Sequence, residues 1–294
     1  MGRAAKELGL VTSALSQQMS RLEGELSTRL LQRSAAGVRA TDAGMAFYKQ
    51  AQLAIRHADD AVHAAQLARL SGHVAIGMAP STSAVLAMPF VRAMRERYPD
   101  IRLRVVESLS GGLAGMLNAR QLDLAVLFNT GAALRWTVLP LIDESLFLIA
   151  HMDLAEVKGL RKSRQLRLSA LGNVPLVLPS KPHGLRAIID AAFVRIRVEP
   201  RVVLEIDGLA VLMDAVCARL GATIQPGAAV ARLSSDAVIS TQIADREARR
   251  VNMLASLSDD ELSPAALAAR VVLRDVAKGL VAEGRWPGAT LHEA

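Results

Sequence analysis

The spacing of hydrophobic and polar positions changes near Gly72, and the change divides the chain into two differently patterned parts. Ahead of Gly72 apolar residues recur at helical spacing. Ala4, Ala5 and Leu8 mark a short helix, residues 9–12 a tight turn, and residues 13–23 a second helix with a polar exposed face. Two helices joined this way predict a helix-turn-helix, whose second helix lies in the DNA major groove. Residues 28–44 place Arg29, Arg33 and Arg39 around a Ser34-Ala35-Ala36-Gly37 tip. This fits a wing, a hairpin whose arginines touch phosphates; charge alone fits a solvated basic loop equally well. Thr41 is placed to cap a long helix that follows.

Along that helix Phe47, Ala51, Ala54, Ala58, Ala61, Ala65 and Ala68 recur at alternating spacings of four and three. Such an a/d seam of small residues lets two helices approach closely. No Gly or Pro interrupts it before Ser71-Gly72, so it reads as a dimerisation helix; an amphipathic helix packed on its own domain is the alternative. His57 and His63 on this helix are poorly spaced for a metal, and no metal or other cofactor is expected.

Beyond Gly72 short apolar runs of strand length alternate with helical segments. Strands are predicted over 73–78, 101–107, 122–128 and 144–150, with helices between. A second unit starts near Asp153, with strands over 174–178, 202–206 and 222–224 and helices over 184–196 and 208–219. Strands over 238–244 and 249–255 and a helix over 264–282 then return to the first unit. Alternating strands and helices predict a parallel-type α/β sheet covered on both faces.

Composition narrows the function. Half of the 294 residues are hydrophobic (51%) but only 3% aromatic, so the core is aliphatic. The net charge of +7 favours a polyanionic partner weakly. Cys217 is the only cysteine, which excludes an internal disulfide, and its apolar neighbours read as those of an inert buried thiol. There is no signal-peptide pattern and no apolar run of membrane-spanning length. A cytoplasmic protein with no membrane partner is expected. No phosphate loop, zinc-binding helix or nucleophile elbow is present, so no catalytic residue is proposed and an enzyme is not expected.

The sequence closely resembles the LysR-type transcriptional regulators over essentially its whole length. The residues that carry this are Ala4-Ala5-x-x-Leu8, Leu15-Ser16-x-Gln18-x-x-x-Leu22-Glu23, Leu30-Leu31-x-Arg33 and Thr41-x-x-Gly44. Leu109-Ser110-Gly111, Leu122-Asp123-Leu124-Ala125-Val126-Leu127, Leu178-Pro179-Ser180-x-x-His183-Gly184-Leu185-Arg186 and Val203-Leu204-Glu205-Ile206-Asp207 are similar to the nitrogen-assimilation-control subgroup. The resemblance implies a winged helix-turn-helix over 1–44 and a linker and dimerisation helix over 41–71. It also implies a periplasmic-binding-protein-like effector domain, with one subdomain formed by 72–152 and 237–294 and another by 153–236. The implied partners are double-stranded promoter DNA, a small-molecule coinducer where one exists, RNA polymerase, and further copies of the chain in a homodimer or homotetramer.

Two departures from the family pattern stand out. The family has a helix before the Ala-Ala pair that is missing here, so Leu8, Leu15, Leu22 and Leu26 are expected to lose apolar cover. The chain as written is then expected to bind DNA poorly; at the extreme it is a ligand-sensing or mixed-dimer remnant. Thr12-Ser13 also stands where the family often has Gln-Pro, which changes the groups offered to base edges. Thr12, Ser13, Ser16, Gln17 and Arg21 are the expected groove residues, with Arg33 and Arg39 on phosphates.

Ligands of doubly wound folds bind beyond the carboxyl ends of strands. The candidates are Ser81, Thr82 and Ser83 after the first strand, Asn129 and Thr130 after the third, and Ser180, His183 and Gly184 in the second unit, roofed by Asp207 and Gln225. Singly, each fits an ordinary cap or turn; together they predict a pocket between the units, for a ligand whose charge stays open.

Overall fold

A computed structural model of the chain describes residues 2–34, 37–66, 70–128, 136–160, 165–181, 184–232 and 237–292. It divides into two compact units, Met1–Val62 and His63–Ala294.

In the first unit α1 (Gly2–Glu7) and α2 (Thr12–Glu25) are joined by a turn through Gly9. Gly9 has φ of +66°, a conformation that glycine adopts without Cβ strain. Leu8 N–H donates to Ala4 and Leu10 N–H to Ala5, closing α1. The wing is a hairpin of β1 (Leu31–Ser34) and antiparallel β2 (Gly37–Ala40). Its base is pinned by Glu23 of α2, whose Oε1 accepts from both Leu30 N and Leu31 N at 2.8 Å. α3 (Asp42–Gln66) follows. Thr41 caps it: Oγ1 accepts from Gly44 N at 2.9 Å and donates to the Arg29 carbonyl at 2.7 Å. A Cβ on Gly44 would overlap the Leu30 carbonyl oxygen, so the first turn of α3 can lie this close to Leu30 only with glycine at that position. Thr41-x-x-Gly44 thus seats α3 against the root of the wing.

The elements of the second unit, in chain order, are β3 (Gly72–Met78), α4 (Pro80–Arg97), β4 (Ile101–Glu107), α5 (Ser110–Asn118), β5 (Leu124–Leu127) and β6 (Thr137–His151). Then come β7 (Gln165–Leu166), β8 (Leu176–Leu178), α6 (Gly184–Arg195), β9 (Val202–Glu205), α7 (Leu209–Cys217) and β10 (Thr223–Pro226). The chain closes with β11 (Val238–Ile243), β12 (Arg249–Ser256), α8 (Pro264–Ala282) and β13 (Ala289–Leu291).

β3 pairs in parallel with β4 and β5, but β12 lies antiparallel between β5 and β6. The sheet is therefore mixed rather than parallel, because the chain returns from the second lobe in the opposite direction. The expected strand over 144–150 is the far half of β6, whose near half pairs with β12. The far half pairs with β10 and β11, so one continuous strand runs through both lobes. β11, grouped with the first subdomain in the sequence reading, pairs with this far half and with β7. α8 packs on α4 and β3. The second lobe's core holds Leu148, Leu176, Leu178, Leu185, Ile189, Phe193 and Ile224, and it extends to Ala79 and Phe128 of the first lobe.

Asp123 shows how a short motif serves the fold. Its carboxylate accepts from Ala75 N at 2.8 Å, and its own N–H donates to the Ala75 carbonyl, which fixes where β5 starts beside β3.

Candidate DNA-reading face and effector cavity

On α2, Thr12, Ser13, Gln17 and Arg21 are exposed and Ser16 is half-buried. Positions 13, 17 and 21 follow one another at i, i+4, so they share a face of polar, hydrogen-bonding side chains. Arg21 Nε meets Glu25 Oε1 at 3.0 Å, with both side chains largely exposed. An exposed pair of this kind is worth about 0.5 kcal/mol and yields readily to a phosphate. Arg39 is exposed on β2. Arg33 belongs to β1, and its side chain lies outside the described residues.

The apolar side of this unit is thinly covered. Ala5, Leu30 and Leu53 are buried, while Leu8 (63%), Val11 (68%) and Leu26 (41%) are exposed. Leu15 and Leu22 are half-buried. On α3, Phe47 and Ala51 are half-buried, Ala54 and Ala58 exposed, and the side chains of Ala61, Ala65 and Ala68 lie outside the described residues. The larger exposed apolar groups are Met45, Tyr48 and Ile55. Tyr48, Ala51, Ile55 and Ala58 form a second four-three series, one position along from the expected seam and sharing Ala51 and Ala58 with it.

In the second unit a cavity opens between the lobes. Ala79, Pro80, Ser81, Leu109, Ser110, Phe128 and Arg250 line it from the first lobe; Pro179, Leu185, Asp207, Leu209, Leu212 and Gln225 line it from the second. Of the expected ligand residues, Ser81, Asp207 and Gln225 stand in this wall. Thr82 instead bonds Asn252 Oδ1 at 3.3 Å, and Ser83 bonds the Pro80 carbonyl and Glu107. Ser180 N donates to Asp207 Oδ1 at 2.8 Å, which ties the ends of β8 and β9 together. Gly184 starts α6, and its neighbour Leu185 reaches the wall. Asn129, Thr130 and His183 lie outside the described residues.

The floor holds a network that the sequence reading passed over. Arg250 is 3% exposed. Its Nε donates to Glu144 Oε2 at 2.6 Å and its Nη2 to Ser81 Oγ at 2.9 Å. Its guanidinium carbon sits 4.2 Å from the centre of the Phe128 ring. Glu144, fully buried, also accepts from Asn252 Nδ2, and from Trp286 Nε1 at 2.6 Å. A buried carboxylate is tolerable only when its oxygens are filled in this way. The signal was present in the strand: Arg250, Asn252 and Leu254 alternate, and Leu254 marks that face as inward.

In the second lobe Arg186 fills the same structural need. Its Nε donates to Asp190 at 2.8 Å, and its Nη1 to the Pro179 carbonyl at 2.9 Å and to Glu205 at 2.7 Å. Burial opposes its charge, but the hydrogen bonds and charges of Asp190 and Glu205 outweigh burial and raise its pKa. Arg186 thereby holds Pro179 in the cavity wall.

A helix-turn-helix with a wing and a two-lobed domain with a cleft define a one-chain regulator: one unit that reads DNA and one that holds a ligand. Residues 1–45 match the bacterial regulatory helix-turn-helix of the lysR family, and residues 67–278 match the LysR substrate binding domain. The chain belongs to the LysR family and is a DNA-binding transcriptional regulator with an effector-binding domain. It is 34% identical over 235 residues to the nitrogen assimilation regulatory protein nac of Escherichia coli strain K12, across 79% of this chain and 74% of that one. The protein of the same name from Klebsiella aerogenes is 32% identical over 234 residues, with the same coverage. A full-length OxyR variant from Pseudomonas aeruginosa shares the fold, with a TM-score of 0.72 at 21% identity over 94% of this chain and 91% of that one. Among the described residues no helix is long and apolar enough to cross a membrane.

Proposed function

We propose that α2 enters the major groove of promoter DNA with Thr12, Ser13, Ser16, Gln17 and Arg21 toward base edges and backbone, while Arg33 and Arg39 of the wing hold phosphates. Two chains pair along α3, and higher assembly into a tetramer sets the spacing of two half-sites. A small molecule in the cavity between the lobes adjusts DNA binding and contact with RNA polymerase, in the cytoplasm where promoters are available. Ser81, Asp207 and Gln225 contribute to that cavity. The observation that carries this reading is the exposed polar face of α2, oriented by a wing that Glu23 and Thr41 anchor.

Fluorescence anisotropy on the intergenic DNA upstream of the gene tests it, with salt varied. Gln17→Ala is expected to relax discrimination at one base pair by about tenfold to a hundredfold. Arg39→Gln is expected to weaken all sequences alike and to lower the salt slope by about one. A wild-type chain with equal affinity for upstream and scrambled DNA overturns the DNA-reading part. The exposure of Leu8, Val11 and Leu26 favours a second reading for that outcome, a ligand-sensing subunit in mixed oligomers.

A further inference from the structure

We propose that the cavity seats a small monocarboxylate. Arg250 is its anion receptor, Glu144 and Trp286 position that arginine, and Gln225 grips the same carboxylate from the opposite lobe. This rests on the reading of the cavity as the effector site and names the chemistry it takes.

Four observations converge. Arg250 lines the cavity, and among the described residues its Nη1 bonds nothing, since Nε and Nη2 are spent on Glu144 and Ser81. Gln225 is 4% exposed and lines the cavity from β10, and among the described residues its side-chain amide has no hydrogen-bond partner. Two donor groups left unspent on facing lobes of the cavity can bond a ligand without giving up any hydrogen bond within the protein. α4, α5 and α7 all begin in the wall, at Pro80, Ser110 and Leu209, and none has a side-chain cap at its N-terminus. Their N–H groups and partial positive charge favour an anion. Glu144 does not repel that anion, because Arg250, Asn252 and Trp286 already occupy its oxygens.

The mouth restricts the other end of the ligand. A neighbouring space shares Pro80, Leu109, Asp207 and Leu209 with the cavity, and its wall carries Glu107, Asp207 and Asp214. A second carboxylate would meet these three, so the distal end of the ligand is neutral or cationic. Leu109, Leu209 and Leu212 give the body of the ligand apolar contact.

Isothermal titration of the full chain with butyrate, butyramide and succinate tests the proposal. Butyrate is expected to bind at least tenfold tighter than either of the others. Arg250→Gln strands the Glu144 charge and can fail to fold, so Gln225→Leu serves as the variant, and a tenfold loss of butyrate affinity is expected. In a Trp136→Phe background Trp286 is the only tryptophan, and its emission is expected to shift on binding because Glu144 links it to Arg250. Butyramide or succinate binding as well as butyrate, indifference to Gln225→Leu, or no binding of butyrate overturns the proposal. Anisotropy separates the underlying reading: if butyrate binds but promoter affinity does not change, ligand control fails and the anion seat stands. If a neutral ligand shifts promoter affinity through Gln225, control stands and the anion seat fails.

Discussion

Glu23 and Gly44 carry more of the DNA-reading unit than any base-contacting residue does. One carboxylate oxygen of Glu23 satisfies two N–H groups at the root of the wing. Hydrogen bonds to a charged acceptor contribute about 1.5–3 kcal/mol. Glu23→Ala is therefore expected to lower the stability of this unit by about 2 kcal/mol, read as a lower melting midpoint, with promoter affinity falling in step. Gly44→Ala is expected to cost at least about 1–3 kcal/mol, because the new methyl meets backbone rather than a movable side chain. If circular dichroism shows Gly44→Ala melting as wild type, the seating of α3 on the Leu30 carbonyl is wrong. Both roles were partly legible: Thr41-x-x-Gly44 stood out as a cap and a family motif. What glycine avoids there was not legible, because Leu30 approaches only once the wing has folded back.

At the scale of elements, α3 and the segment leading into α8 offer separate tests. The four-three pattern of α3 survives in the structure as two adjacent stripes, and the exposed one carries Tyr48 and Ile55. Ile55→Asp is expected to convert the wild-type oligomer to a smaller species by light scattering at micromolar concentration; an unchanged mass removes this face from the pairing surface. Ala54 is exposed but lies on the other stripe, whose one large side chain, Phe47, is half-buried, so Ala54→Ser is expected to leave the mass unchanged. Near the N-terminus of α8, Glu261 bonds Arg120 and Ser258. Burial acts to raise its pKa, but the hydrogen bonds from Arg120 and Ser258 and the charge of Arg120 outweigh burial and lower it below the ordinary 4.5. A depressed carboxylate stabilises the fold above its unfolded pKa, and that contribution is lost as pH falls through the folded value. Glu261→Gln is expected to melt a few degrees below wild type at pH 7, with the gap closing as pH falls from the ordinary carboxylate range through the lowered folded value. A gap that persists unchanged at low pH rules out charge as its origin.

At the scale of the molecule, the long β6 strand joins the two lobes of the second unit. It pairs with β12 in the first lobe and with β10 and β11 in the second, and Glu144 lies on it. A ligand seated as proposed on Arg250 and Gln225 would therefore load strands that are both hydrogen-bonded to β6. Every long helix and most of the strands of this unit are legible in the sequence, because each has a period strong enough to read locally. The alternation alone predicts a parallel sheet, whereas the antiparallel insertion of β12 is a matter of chain return over more than a hundred residues.

The sequence by itself determined the family, the helix-turn-helix, the wing, the long helix and the two-lobed α/β plan. These follow from local periodicity, from capping and turn residues, and from ordered motifs whose spacing is fixed along the chain. Only the tertiary structure decided which polar residues face the cavity. Ser81 turns to it while Thr82 and Ser83 turn away. Arg250 reaches it from a strand distant in sequence, held by Glu144 and Trp286 from two further segments. The reason is physical: a buried charge is placed by the partners that neutralise it, and those partners come together only when distant strands settle into register.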